Sequence, residues 1–404
     1  MSENLKRRDG EDFRSFHIRL YENLDTYEID SKTASKILNE DYGSNYDESK
    51  WRKDYAQYVK WKDYIQNHNT GDAELDKLTI KKLELQKERN KLSAEKTELN
   101  KWIREQARTE NIYDKIEDAI KKLKPIKVPT IVQRETNDEQ QLIVDIADAH
   151  IGMKVDIRDF DDNVISEYNT EIFKKRMWEL LERTIEIVKK ENVSHVTVLN
   201  LGDFVDGLLH TSQLKFQELN VMDQVMFGAE FMAEWLNKLS EYVTIDYRSV
   251  TGNHAETRVL HSGRSEFREE NVEVLVSWYI KSRLANNSRV KVYEIKPVIY
   301  FDILGTKVLA VHGQDEKNLE SSLKDYQDIY NVKVHIMKSG HLHHINNKTI
   351  TADGIRNVEY VQSPAIASFN DYAVNKKKTS VAGSLITLIK DGYGKVCTYD
   401  VRFK

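Results

Sequence analysis

Cysteine, proline and glycine are scarce in this 404-residue chain, which has one cysteine, four prolines and 16 glycines. A lone thiol, Cys397, closes no intramolecular bridge, so the fold owes nothing to disulfides. So little proline and glycine excludes collagen-like and low-complexity architectures. No apolar run approaches bilayer length, and Met1 to Gly10 lacks the apolar stretch of a secretory signal. The expectation is a cytoplasmic protein without a membrane partner. Charge of one sign is also lacking: 61 basic against 66 acidic residues leave -5, so any nucleic-acid contact must come from a local basic surface. What is present is ordinary globular material, 40% hydrophobic and long enough for two or three domains.

Residues 1–70 read as a small all-α domain. Phe13, Phe16, Leu20 and Leu24 share one helical stripe, and a second helix opens at Ser31, read as its N-cap, carrying Ala34, Ile37 and Leu38 inward. Asp41 to Asn45 forms a glycine turn, after which Trp51, Tyr55, Tyr58 and Val59 fall at helical spacing. Short helix, turn, longer helix is the helix-turn-helix outline, and the first turn of the last helix offers Lys50, Arg52 and Lys53 to DNA. Asp47 and Glu48 oppose that, and a plain three-helix bundle with solvated lysines fits equally. The stretch Tyr46 to Lys53 resembles small helix-turn-helix domains at the front of some bacteriophage proteins.

Over 71–124 the chain is highly charged, with Leu78, Leu85, Leu92 and Leu99 recurring every seven residues. The companion column a coiled coil needs holds Lys82, Arg89 and Lys96 in its middle. A long helix or helical hairpin linking the domains follows, with homo-oligomerisation through it as the alternative. Pro125, Pro129 and a polar stretch to Gln140 place a linker at 125–140.

Residues 141–404 alternate. Leu142 to Ile146, Val196 to Leu201, Val243 to Val250, Val298 to Ile303, Lys307 to His312 and Val334 to Met337 read as buried strands. Phe173, Met177, Leu181, Ile185 and Val188, then Val225, Ala229, Met232, Leu236 and Leu239, form the inner faces of two helices. The expected class is α/β, a β-sandwich flanked by helices.

Five motifs follow in fixed order: Asp148-Ala149-His150, Gly202-Asp203-Phe204-Val205-Asp206-Gly207, Gly252-Asn253-His254, Val311-His312-Gly313 and Gly340-His341-Leu342-His343. Each alone is weak, yet every candidate ligand sits at or just past the C-terminal end of a predicted strand, where open α/β sheets place their sites. Mixed carboxylate and imidazole donors suit Mn, Fe or Zn better than Mg or Ca, and Mn is the first choice.

These motifs resemble the calcineurin-like metallophosphoesterase superfamily over roughly 141–404. The resemblance implies that Asp148, His150 and His343 hold one of two divalent ions, that Asn253, His312 and His341 hold the other, and that Asp203 bridges them. It implies attack on phosphorus by a water that the ions acidify, with His254 as general acid and Asp206 orienting it. Two departures stand out. Ala255 occupies a position where the family prefers an acid, and Asp206 runs into Gly207 where phosphoprotein phosphatases carry an arginine. Phosphoproteins therefore become the less favoured substrate. His210 and Arg258 are secondary candidates for substrate contact.

The functional expectation is a phosphodiester hydrolase of nuclease type acting on DNA, similar to the repair-exonuclease branch of the superfamily. One rival is a phosphatase or phosphodiesterase on small nucleotides; another is a DNA-binding or scaffold protein with incidental catalysis.

Overall fold

The computed structural model describes residues 3–67, 77–93, 95, 96, 116, 118–207, 217–256 and 270–403. The chain divides into two compact units, Met1–Arg108 and Thr109–Lys404.

In the first unit, helices α1 (Phe13–Glu22), α2 (Ser31–Tyr42) and α3 (Glu48–Asn67) enclose Phe16, Leu20, Ala34, Ile37, Leu38 and Trp51. Asp12 caps α1 by accepting from the backbone N–H of Arg14 and Ser15. The cap of α2 is Asp30, accepting from Thr33 N at 2.8 Å, and not Ser31, which is the first helical residue; both are capping types, and it is Asp30, at φ -91° and ψ 168°, that has the extended backbone of a cap. Gly43 ends α2 in the left-handed conformation, at φ 68°. Trp51 is fixed at both ends of its peptide and ring, its indole donating to Asn39 Oδ1 at 3.0 Å while its carbonyl meets His17 Nε2 at 3.0 Å. Residues 77–93 form a further helix, α4, on which Leu78, Leu85 and Leu92 are exposed; Leu99 lies outside the described residues.

The second unit is a sandwich of two sheets with helices on both outer faces. One sheet is ordered β13-β12-β1-β4-β5-β6 and the other β10-β11-β9-β8-β7. The first comprises β1 (Gln140–Ile146), β4 (His195–Asn200), β5 (Thr244–Ser249), β6 (Val290–Val292), β12 (Gly383–Lys390) and β13 (Gly394–Arg402). The second comprises β7 (Val298–Ile303), β8 (Thr306–Val311), β9 (Ile336–Ser339), β10 (Asn346–Ala352) and β11 (Asn357–Gln362), and a hairpin of β2 (Val155–Arg158) and β3 (Val164–Tyr168) stands apart. Strands β1, β4, β5 and β6 run parallel, as do β8, β9 and β11.

The period-2 geometry of a strand sorts the core. Leu142, Val144 and Ile146 of β1 face α5 (Thr170–Lys190), α6 (Val221–Leu239) and α7 (Glu273–Arg283), while Ile143 and Ala147 face the second sheet through Leu199, Leu201, Val308 and Ile336. Between the sheets a buried ion pair, Lys338 Nζ to Asp145 Oδ2 at 2.7 Å, joins β9 to β1, with Thr387 of β12 accepting a second bond at 3.0 Å. Helix α8 (Leu319–Tyr330) covers the other face of the second sheet with Leu319 and Leu323. Residues 126–137, expected as a linker, hydrogen-bond along this unit: Ile126 N to Arg283 O at 2.7 Å, Val132 N to Glu241 O at 2.8 Å and Asn137 N to Asn192 O at 2.6 Å. None of the described helices is long and apolar enough to cross a membrane.

Candidate metal centre

Parallel strands β1, β4 and β5 end side by side, and their C-terminal loops carry Asp148 and His150, then Asp203, then Asn253. Strands β8 and β9 deliver His312, His341 and His343 from the second sheet. Such turns are sharp. Asp148, His150, Asp203, His341 and His343 all have φ between 41° and 67°, so five of the seven candidate ligands adopt the left-handed backbone that L-residues disfavour. That concentration of strain marks a site whose geometry is imposed by its surroundings. The loops brace one another through Asp148 N to Gly202 O at 3.1 Å, His150 N to Asp203 O at 2.9 Å and Gly340 N to His312 O at 3.0 Å.

Ligand atoms gather in three overlapping groups: Asp148, His150 and His343; His150, Asp203 and His254; and Asp203, His312 and His341, each with its atoms within 4.8 Å of one another. Asp203 shares one group with His150 and another with His312, the position a bridging carboxylate must hold. Its Oδ2 lies 3.0 Å from His312 Nε2, and His341 Nδ1 lies 3.2 Å from the same nitrogen. His343 Nε2 is 3.3 Å from Asp148 Oδ1 and 3.4 Å from His150 Nε2. The Asp148 carboxylate also accepts from His341 N at 2.9 Å, which ties the two ends of the site together.

Tautomers follow from the backbone. His312 Nδ1 meets the Leu201 carbonyl at 2.7 Å; a carbonyl only accepts, so Nδ1 carries hydrogen and Nε2 is turned toward Asp203. His254 Nδ1 meets the Asp206 carbonyl at 3.0 Å in the same way, leaving Nε2 4.0 Å from Asp203 Oδ2. The Asp206 carboxylate stands 3.6 Å from Nδ1 of both His254 and His150 and accepts from Gln217 Nε2 at 3.0 Å.

The donor set fits divalent cations. Asn253 Oδ1 and His150 Nδ1 are buried without a hydrogen-bond partner, an expensive condition unless something else satisfies the site. Among the described residues the opposite charges facing the buried Asp148 and Asp203 are imidazoles. Burial opposes ionisation of Asp203, but His312 and His254 hold its carboxyl well below the usual range. Against its own burial, Asp203 raises His312 to about 10. The same carboxylate charge that favours a proton on His312 would favour a cation at this position, so the two would compete. His341 is pushed down to about 4, first by burial and then by the charge on His312. His254 is raised to about 9: burial works against its charge, and Asp203 and Asp206 outweigh it.

Glycines permit this crowding. A Cβ on Gly252 would overlap the backbone N and Oδ1 of Asp203, and one on Gly207 would overlap the His254 carbonyl. Overpacking of that kind costs about 1–3 kcal/mol or more. Gly252→Ala is therefore expected to lower the melting temperature by several degrees and to abolish tight Mn binding; wild-type Mn titration in that variant would contradict the packing described.

His210 and Arg258 fall outside the described residues. In the N-terminal unit, Lys50 pairs with Asp54 at 3.0 Å and lies over the Tyr46 and Trp51 rings, Arg52 pairs with Glu48 at 3.2 Å, and Lys53 is exposed. Sequence reasoning missed Glu273 and Tyr168. The Tyr168 phenol donates to the Ala149 carbonyl inside the first motif, and Glu273 accepts from two ligand-loop amides. The one signal for Glu273 was an acid inside the apolar run Val272-Glu273-Val274-Leu275-Val276.

Fold and site together define an α/β sandwich with a buried Asp/His cluster suited to divalent metal ions. Residues 1–70 match the family described as the YonJ N-terminal domain, and residues 81–123 that described as the YonJ coiled-coil domain. Over 401 residues the chain is 29% identical to the SPbeta prophage-derived uncharacterized protein YonJ of Bacillus subtilis (strain 168), covering 98% of this chain and 97% of that protein. Similar solved structures include wild-type Vps29 complexed with zinc from Entamoeba histolytica, at TM-score 0.28 and 12% identity over 65% of this chain and 99% of that one. They also include a novel archaeal phosphodiesterase, at 0.33 and 13%, and a dimetal phosphatase from Danio rerio, at 0.34 and 10%, each over 65% of this chain and 99% of that one.

Proposed function

We propose that this chain is a two-metal phosphodiester hydrolase whose substrate is DNA. One observation carries the hydrolase reading: two acid–imidazole groups meet at Asp203 at the strand ends, with the Asn253 oxygen buried and unpartnered beside them. Asp148, His150 and His343 would hold one ion, Asn253, His312 and His341 the other, and Asp203 both. Such a pair supplies Lewis-acid charge for the phosphate oxygens and acidifies a water for in-line attack.

The chain's own contribution is proton handling. With Nδ1 of His254 committed to the Asp206 carbonyl, the transferable proton sits on Nε2, which points toward Asp203 and the reacting centre. The Asp206 carboxylate faces Nδ1 of both that ring and the His150 ring at 3.6 Å, placing its charge beside each. The His254 side chain is 22% exposed, which leaves room for a leaving group to reach it.

DNA is favoured over phosphoproteins because no arginine follows Asp206, and over small nucleotides because the chain carries a separate three-helix unit with cationic residues on α3. With purified protein and Mn, a nitrophenyl phosphodiester and labelled DNA should be cleaved, and a nitrophenyl monoester turned over more slowly by about tenfold or more. Intact DNA beside consumed nucleotides would replace this substrate with the small-nucleotide one; no turnover of any ester would remove the hydrolase reading.

A further inference from the structure

We infer that Glu273 is a positioning residue that sets the spacing between the Asp203 and Asn253 loops, an inference that rests on the two-metal reading above. Glu273 opens α7 and is 1% exposed. One carboxylate oxygen accepts from Phe204 N at 2.6 Å and the other from Gly252 N at 2.9 Å. Phe204 follows Asp203 and Gly252 precedes Asn253, so a single side chain ties together the loops after β4 and β5.

The same segment closes on the other side of Gly252. Asn271 Nδ2 donates to the Gly252 carbonyl at 2.8 Å, Asn271 Oδ1 accepts from Glu273 N at 3.0 Å, and Val272 N donates to the Ala255 carbonyl at 3.0 Å. Both backbone polar groups of Gly252 are therefore held by residues 271 and 273. A buried carboxylate near Asp203 is unfavourable on burial and on charge, and both raise Glu273, to about 7. Among the described residues no cationic side chain hydrogen-bonds to its carboxylate, whose two oxygens accept from two amides. Only a carboxylate can accept at both points, because a glutamine in its place would turn an NH2 toward one of the N–H groups. Supporting residues of this kind typically govern metal affinity by about 10–100-fold.

The test uses the full chain, stripped of metal and titrated with Mn by calorimetry, alongside thermal melting and steady-state cleavage of a nitrophenyl phosphodiester. Glu273→Gln is expected to weaken Mn binding by about 10–100-fold and to lower kcat, with KM within about twofold of wild type and a melting temperature within a few degrees. Asn271→Ala, which spares the carboxylate, is expected to show a smaller loss in the same direction and decides the matter if Glu273→Gln does not fold. Wild-type Mn affinity in the folded variant overturns the inference while leaving the two-metal reading intact. Wild-type protein that takes up no Mn overturns both.

Discussion

Asp203→Ala should empty both cation positions and reduce phosphodiester cleavage by on the order of 10³-fold or more. Lewis-acid stabilisation by metal ions amounts to several kcal/mol, and each 1.36 kcal/mol is a factor of ten in rate. The effect should exceed that of losing His312, His341 or His343, each in one ligand group, because Asp203 belongs to two of them and also accepts from His254 N at 2.9 Å. His343→Ala is the control. Its ring belongs to one group and stands at the more exposed rim, so it should remove mainly one ion. Metal content per chain, measured by mass spectrometry after Mn loading and desalting, separates the two. The same complete loss in both variants, or full occupancy in Asp203→Ala, would falsify a bridging role.

His254→Gln should retain both ions and the fold yet lower kcat by about 10²–10⁴-fold, the usual worth of a general acid. The reasoning is geometric. Its backbone N–H to Asp203 survives the change, whereas the Nε2 proton does not. Leaving-group dependence discriminates this role from a binding one. An alkoxide from DNA needs protonation as it departs, while nitrophenolate is stable enough to leave unaided, so the variant should lose much more activity on DNA than on the nitrophenyl diester. Equal losses on both substrates would move His254 from proton donor to phosphate contact.

Much of the site was legible because its parts are short and local. Asp-x-His, Gly-Asp, Gly-Asn-His and His-x-His each place donors on one tight turn, and strand-end positions could be counted from β-branched runs. The structure brings Asp148, His150, Asp203, His312, His341 and His343 together, with Asn253 between two residues that contact Asp203 through its neighbours. What stayed hidden depends on long-range closure. Glu273 acts through backbone amides, which leave no motif in sequence, and Asp145 with Lys338 pair across sheets 193 positions apart. The β2–β3 hairpin was missed because its outer residues, Val164 and Ile165, are exposed, so its pattern lacks a clean buried face. Strands β10 to β13 were not among the predicted strands: β10 is polar and largely exposed, and β12 is buried on both faces, which erases alternation. In the N-terminal unit the three helices were readable from their stripes, but the pairing of Lys50 and Arg52 with acids on their own helix was set by spacing alone, Glu48 with Arg52 and Lys50 with Asp54.

Strand β12 lies directly beside β1, with β13 beyond it, so the first strand of the sandwich is paired with one far downstream of it in the chain. Until β12 has been made, more than 200 residues after β1, that edge of β1 has no strand to pair with. A chain truncated before Gly383 keeps all seven candidate ligand side chains but lacks the strand that completes the sheet beside β1, and it is expected to aggregate rather than to bind metal.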